Sequence, residues 1–303
     1  MNKRVIAISG PTAVGKTALA LRVARELDGE IISCDSMQIY KGMDIGTAKP
    51  TKEELSLVRH HMIDIVPPDA QFSCADYKKM ATEALEDILS RGKLPIFCGG
   101  TGLYLESVLY NGGFSEAPAD KSIREKLSAK SPEENWARLV EIDPEAASKT
   151  HINNRIRVIR ALEIYETTGM TKTYWDTLSK QKKSEYDPKI VVLYASDREL
   201  LYKRINERVD AMVEAGLERE VRELSHTVSP TALQAIGYKE LIEYFDGKCT
   251  FDEAIDKIKQ ASRNYAKRQQ TWWRRCESAI NVDVCTENFE NIVNFVISLA
   301  KSD

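Results

Sequence analysis

The chain has 303 residues, 43% of them hydrophobic and 29% charged, with a formal net charge of -3. That length allows one large domain or two smaller ones with proper cores, and the slightly acidic total excludes a global attraction to nucleic acid, so such a partner must be met by a local patch. Six widely spaced cysteines, with no Cys-x-x-Cys pair and no histidine at ligand spacing, argue against a disulfide framework or zinc site and for a reducing, cytoplasmic setting; no apolar run reaches membrane-spanning length.

The first predicted strand, Arg4 to Ser9, runs into Gly10-Pro11-Thr12-Ala13-Val14-Gly15-Lys16-Thr17 and then a helical stretch from Ala18 to Leu27. This is a phosphate-binding loop in the context that gives it meaning. Gly10 and Gly15 permit backbone angles that turn amide N–H groups inward around phosphate oxygens, with the helix N-terminus adding positive potential. Lys16 supplies a point charge and Thr17 a hydroxyl ligand for Mg²⁺. The loop alone does not say whether it holds a nucleoside triphosphate or another diphosphate ester.

A second strand, Glu30 to Cys34, ends in Asp35-Ser36-Met37-Gln38-Ile39-Tyr40. A carboxylate there can hold Mg²⁺ through water or act as a general base, and the Gln38 amide suits the edge of an adenine. A third strand is expected over Met62 to Val66. The fourth, Leu94 to Cys98, ends in Gly99-Gly100-Thr101-Gly102, placing Thr101 in the same cleft. An ATPase of the common kind would have an acidic residue at that point, so Asp35 is left as the nearby carboxylate.

From residue 113 to 188 strand-like runs vanish and charged helical stretches replace them: Lys121 to Lys130, Pro132 to Ile142 and Asn153 to Thr168. The expected organisation is therefore a core over 1–112, a helical insertion over 113–188 between the turns at Asn111-Gly112-Gly113 and Asp187-Pro188, and the rest of the core over 189–303, its sheet resuming at Ile190. The fold class is α/β, a parallel sheet of the P-loop NTPase type with helices on both faces. Arg204 and Arg208, four apart on a predicted helix, can clamp a diphosphate and neutralise a leaving group.

Lys257 to Cys276 carries seven basic residues and no acidic one. Plotted at about 100° per residue, Lys259, Arg263, Lys267 and Arg274 form one stripe and Lys257, Arg268 and Arg275 another. Between them lies an apolar face of Ile258, Ala261, Tyr265, Trp272 and Cys276. A core-facing helix with basic edges suggests a phosphate backbone, and with Arg155, Arg157 and Arg160 in the insertion it would let the protein grip a folded RNA from two sides.

These motifs, together with His60-His61-Met62-Ile63-Asp64, Arg160-Ala161-Leu162-Glu163 and Gln234-Ala235-Ile236-Gly237-Tyr238-Lys239-Glu240, resemble the bacterial tRNA dimethylallyltransferases, the MiaA family, over nearly the whole chain. The resemblance implies transfer of a dimethylallyl group from dimethylallyl diphosphate to the exocyclic amine of the adenosine just 3′ of the anticodon. Gly10 to Thr17 would then hold the diphosphate of an isoprenoid rather than ATP, in a fold like that of nucleotide kinases. Asp35 would accept the proton of the adenine amine, Thr101 would position the base, Thr17 would bind Mg²⁺, and Lys16 with Arg204 and Arg208 would stabilise the departing diphosphate. By the same resemblance the anticodon stem-loop of tRNA would be touched by Asp35, Ser36, Met37, Gln38, Thr101 and Arg124, and by Ile156, Arg157, Val158, Ile159 and Arg160; the basic ridge adds Arg263 and Lys267. A monomer without membrane attachment is expected. The rival readings are a small-molecule or nucleotide kinase with the insertion as its lid, and a nucleic-acid-binding NTPase module.

Overall fold

Short aliphatic runs separated by amphipathic helices fold here into one parallel sheet. The computed structural model describes residues 3–110, 120–181 and 184–302. The chain divides into two compact units, Met1–Leu105 with Tyr186–Asp303, and Glu106–Glu185. The first unit contains strands β1 (Arg4–Ser9), β2 (Gly29–Ser33), β3 (His60–His61), β4 (Leu94–Gly99), β5 (Asp187–Tyr194) and β6 (Ala279–Asp283), ordered β3-β2-β4-β1-β5-β6 with every pairing parallel. The central strands are buried, as a parallel sheet covered on both faces requires.

Helices α1 (Lys16–Glu26), α2 (Lys52–Leu57) and α3 (Cys74–Ser90) connect the first strands, and α4 (Gly102–Leu109) follows β4. Thr51 and Ser73 start α2 and α3 with capping boxes closed by Glu54 and Asp76. The register sets Ser9 beside Gly99 and Ser33 beside Cys98. The loops leaving β1, β2 and β4 therefore converge at the carboxyl edge of the sheet, where ligands of such folds sit.

The second unit is helical. Its elements are α5 (Lys121–Ser128), α6 (Pro132–Ile142), α7 (Pro144–Ser148), α8 (Arg155–Thr168) and α9 (Lys172–Gln181), packed around Leu127, Leu139, Val158, Ala161 and Leu162. The unit begins within α4, ahead of residue 113; the turn expected at Asn111-Gly112-Gly113 lies outside the described residues. The turn expected at Asp187-Pro188 is instead the start of β5, a place where a strand tolerates proline.

After β5 come α10 (Arg198–Glu214), α11 (Leu217–Leu224), α12 (Tyr238–Phe245), α13 (Phe251–Trp273) and, past β6, α14 (Phe289–Lys301). Helices α10 to α13 share a second core with Ile39, Tyr40 and Met43. Glu220 on α11 accepts the backbone N–H groups of Asp44 at 2.8 Å, Ile45 at 2.6 Å and Gly46 at 2.9 Å, fixing the loop beyond Asp35.

Two strands differ from the sequence expectation. Met62 and Asp64 adopt left-handed φ angles of 64° and 54°, which break an extended run, so the third strand is His60–His61; Asp64 and Ile65 donate to the Gln38 and Ile39 carbonyls, and Val66 forms an isolated parallel bridge with Tyr40. The edge strand β6 was not anticipated; its five residues are too few, and too exposed, to stand out as a periodic pattern.

Candidate active site

The phosphate loop leaves β1 at Gly10, with φ of 134° and a backbone so close to β5 that a Cβ would overlap the Leu193 carbonyl. Gly15, at φ 89°, caps α1 with no side-chain bond, leaving the amides of the first turn open to a ligand. Lys16 folds back, its Nζ donating to the Pro11 carbonyl at 2.6 Å. Burial brings its pKa down to about 8, with Arg208 pressing the same way against the opposing pull of Cys98 and Asp35.

A cavity of about 500 Å³ opens over this loop, lined by Thr12, Lys16, Thr17, Asp35 and Arg208 among others. Arg208 on α10 donates from Nη1 to Thr12 Oγ1 at 3.3 Å, and burial lowers its pKa while Asp35 opposes the fall. Arg204, one turn earlier, does not reach the cavity lining. Four residues of helix advance about 6 Å, and of the two arginines Arg208 is the one that bonds Thr12 and lines the cavity.

Asp35 follows β2 in a turn that its own side chain closes, Oδ1 accepting from the N–H of Met37 at 2.9 Å and of Gln38 at 3.4 Å. Its other oxygen makes no hydrogen bond among the described residues and belongs to a group facing the cavity. Gln38 also lines the cavity, but its amide is spent on the wall: Oε1 accepts from Ser33 Oγ at 2.9 Å, and Nε2 donates to the carbonyls of Thr47 and Ala48 at 3.3 and 3.2 Å. The expected reading of an adenine edge by that amide is not available in this arrangement.

Thr101 is one residue past the lining glycines Gly99 and Gly100. Its N–H donates to the Cys34 carbonyl at 3.0 Å, while its buried hydroxyl is turned toward the Tyr265 hydroxyl without closing a well-formed hydrogen bond. Tyr265 faces it from α13, with its pKa pushed up to about 12 by burial and by Asp35. Gly102 admits the Trp272 indole, which a Cβ would strike. Tyr265 therefore lines the cavity and Trp272 packs on Gly102, while Ala254, Ile255, Ile258, Ala266 and Trp273 are the buried apolar residues of the helix.

The basic ridge is less open than its sequence. Lys257 pairs with Glu243 at 2.7 Å and Lys259 with Asp210 at 2.6 Å, and Arg263 donates to Asn206 at 2.6 Å. Arg263 and Lys267 both lie over the Tyr202 ring, and Arg268 over Tyr265. Because α13 ends at Trp273, Arg274, Arg275 and Cys276 fall outside the helical stripes assigned to them.

In the helical unit, the carboxylate of Glu163 is fully buried and gathers Arg124 at 2.8 Å, Arg160 at 2.7 Å and the Asp120 N–H at 2.7 Å. Burial pushes its pKa up, but Arg160, the Asp120 amide and Arg124 together hold it below the usual range. Ile156, 83% exposed, and Arg157 face outward. Val158 and Ile159 do not: they are core residues of the unit, so their expected contact with a partner is corrected.

The IPP transferase family model matches residues 38–276. The chain belongs to this family. It is 50% identical over 280 residues to a tRNA dimethylallyltransferase of Oceanobacillus iheyensis, covering 90% of this chain and 89% of that one. A tRNA dimethylallyltransferase of Anoxybacillus flavithermus is 47% identical, with 98% and 96% covered. Among solved structures, the tRNA isopentenylpyrophosphate transferase of Bacillus halodurans aligns with a TM-score of 0.74 at 42% identity, covering 98% of this chain and 95% of that chain. A eukaryotic dimethylallyltransferase acting on tRNA aligns with a TM-score of 0.85 at 30% identity, over 98% and 80%. One residue of the site was not anticipated from the sequence. Gln269, buried on α13, accepts the Thr12 N–H at 3.0 Å, and the only hint of it was a polar residue at a core-facing level of the helix.

Proposed function

We propose that this chain is a tRNA dimethylallyltransferase, which moves the dimethylallyl group of dimethylallyl diphosphate to the exocyclic N6 amine of the adenosine 3′-adjacent to the anticodon and releases diphosphate. The observation that carries this reading is one cavity in which a phosphate cradle and two buried cations face a carboxylate with an unengaged oxygen. The adenine amine has its lone pair delocalised into the ring and is a poor nucleophile until a proton is drawn off. Asp35 takes that proton as the nitrogen forms its bond to the allylic carbon and the bond from that carbon to the diphosphate oxygen breaks.

The charge gathering on the leaving group is met by the loop amides, Lys16 and Arg208, which are in place before reaction. Mg²⁺, when bound, neutralises further diphosphate charge. The residues fit such an ion: Thr17 lines the cavity beside Lys16, and no cluster of three or more His, Cys, Asp or Glu occurs among the described residues, so the ion would be held by the Thr17 hydroxyl, diphosphate oxygens and water, a usual arrangement for this metal. The Thr101 hydroxyl, beside Tyr265, is a partner for the incoming base.

A stacked adenine cannot reach a buried carbon and must be flipped out, at a cost of a few kcal/mol. Contacts of the anticodon stem-loop with Arg124, Ile156, Arg157 and Arg160, and with the edge of α13 at Arg263, Lys267 and Arg268, offset that cost. The enzyme acts in the cytoplasm as a monomer. A simple ATPase reading is disfavoured because β4, beside the loop strand, ends in Gly99 followed by Gly100, with no carboxylate there. Incubation with Mg²⁺, dimethylallyl diphosphate and undermodified tRNA, followed by nucleoside mass spectrometry, tests the proposal. N6-dimethylallyladenosine formed without ATP supports it; phosphoryl transfer from ATP with unmodified RNA supports a kinase.

A further inference from the structure

We propose that Gln269 is a positioning residue that holds the phosphate loop in its ligand-ready shape, and that position 100 is glycine to leave room for it. The inference rests on reading residues 10–17 as a diphosphate cradle. Gln269 is only 5% exposed, in a helix whose neighbouring residues Lys267 and Arg268 are exposed. A buried primary amide is costly unless its groups are used, so its presence calls for a reason.

Its Oε1 accepts the backbone N–H of Thr12 at 3.0 Å, across 257 residues of chain. The hydroxyl of the same threonine accepts from Arg208 at 3.3 Å. Thr12 is thus held through its backbone by α13 and through its side chain by α10, in a loop flanked by two positive-φ glycines, Gly10 and Gly15. With Thr12 fixed, the amides that follow it point at the anion without first being ordered, which is where preorganised binding sites gain affinity.

The second observation comes from the opposite side. A Cβ built on Gly100 would overlap the Gln269 amide nitrogen, and next nearest after that side chain is the Gly10 carbonyl oxygen at 3.3 Å. The glycine therefore leaves space for this glutamine in particular. Alanine at 100 has one easy accommodation, the displacement of a flexible amide, and that displacement releases Thr12.

Two substitutions at different places should consequently have the same effect. Gln269→Met keeps the volume and removes the acceptor; Gly100→Ala keeps the acceptor and moves it. The test measures dissociation of Mg²⁺–pyrophosphate from the full-length protein by calorimetry, and KM and kcat with dimethylallyl diphosphate at saturating tRNA. Each variant is expected to weaken pyrophosphate about five- to thirtyfold and to raise KM in step, with kcat changed by less than about threefold. With Gln269→Ala measured as a further single, the double variant Gln269→Ala with Gly100→Ala should be no worse than Gln269→Ala, because the added methyl then occupies vacated space. Thermal midpoints close to the wild type identify variants that fold, and two independent single variants keep the test alive if one does not. Unchanged pyrophosphate affinity in Gln269→Met, or additive losses in the double variant, would overturn the proposal. A wild type that binds pyrophosphate without modifying RNA would sink the transferase reading alone, and one that binds no pyrophosphate would sink both.

Discussion

Raising the pH should weaken capture of the diphosphate substrate before it affects turnover of the loaded enzyme. Lys16 ordinarily titrates at 10.5 and is held at about 8 here, mainly by burial. That difference corresponds to about 3 kcal/mol by which the empty site disfavours the charged lysine. The charged form is the one that binds diphosphate, and a bound dianion or trianion favours protonation and moves the pKa back up. The free enzyme is therefore about nine-tenths charged at pH 7 and about one-tenth at pH 9, whereas the complex stays charged across the range. Since kcat/KM reports groups of the free enzyme and kcat those of the complex, kcat/KM for dimethylallyl diphosphate should fall about tenfold per pH unit above roughly 8 while kcat holds to higher pH. Initial rates at saturating tRNA, taken from about pH 6.5 to 9.5 at constant ionic strength, measure both. A kcat/KM that stays level through pH 9, or a kcat that falls with the same midpoint, would refute the argument.

Asp35→Ala should lower kcat by about a hundredfold or more with tRNA affinity within a few fold, because the carboxylate is assigned to proton transfer; a filter-binding assay showing lost affinity with normal turnover of bound RNA would reassign it. Arg208→Ala should raise KM for dimethylallyl diphosphate and cut kcat far more than Arg204→Ala, since only Arg208 reaches Thr12 and the cavity; equal losses would contradict the geometry. Glu30, whose carboxylate is buried at the far edge of the sheet, is held down to about 2 by its bond to Arg91, against burial and with help from His61. Glu30→Ala should cost about 1–3 kcal/mol of stability by thermal or urea unfolding, fully expressed above about pH 4.5 and shrinking as the pH falls through roughly 2, where the wild-type carboxyl is protonated too. A difference that grows on acidification would contradict this.

The site was most legible in the sequence where a motif dictates backbone. Gly10 and Gly15 announce the cradle because no other residue takes their φ angles at that spacing, and Asp35 and Gly99 were found because each directly follows an apolar strand. Depth was not legible. The four-residue spacing of Arg204 and Arg208 fixes a shared helix face but not which of the two stands level with the loop. The charge of the ridge over Lys257 to Cys276 was plain, yet its neutralisation by Glu243 and Asp210 depends on partners brought close only by the packing of α10 and α12 on α13. The family resemblance placed Val158 and Ile159 within a tRNA-touching segment without saying that their side chains turn inward. Gln269 was passed over because a polar residue in a basic helix looks like surface until its hydrogen-bonding partner, a backbone amide of the loop, is known.

A dimethylallyltransferase and a kinase differ in which atom of the substrate changes hands. Dimethylallyl diphosphate carrying carbon-14 in the allyl group and phosphorus-32 in the diphosphate, incubated with the protein, Mg²⁺ and undermodified tRNA, decides it in one tube. Carbon label in the RNA with all phosphorus label recovered as free diphosphate is the predicted result. Phosphorus label in any acceptor, or incorporation that appears only when ATP is added, would contradict it.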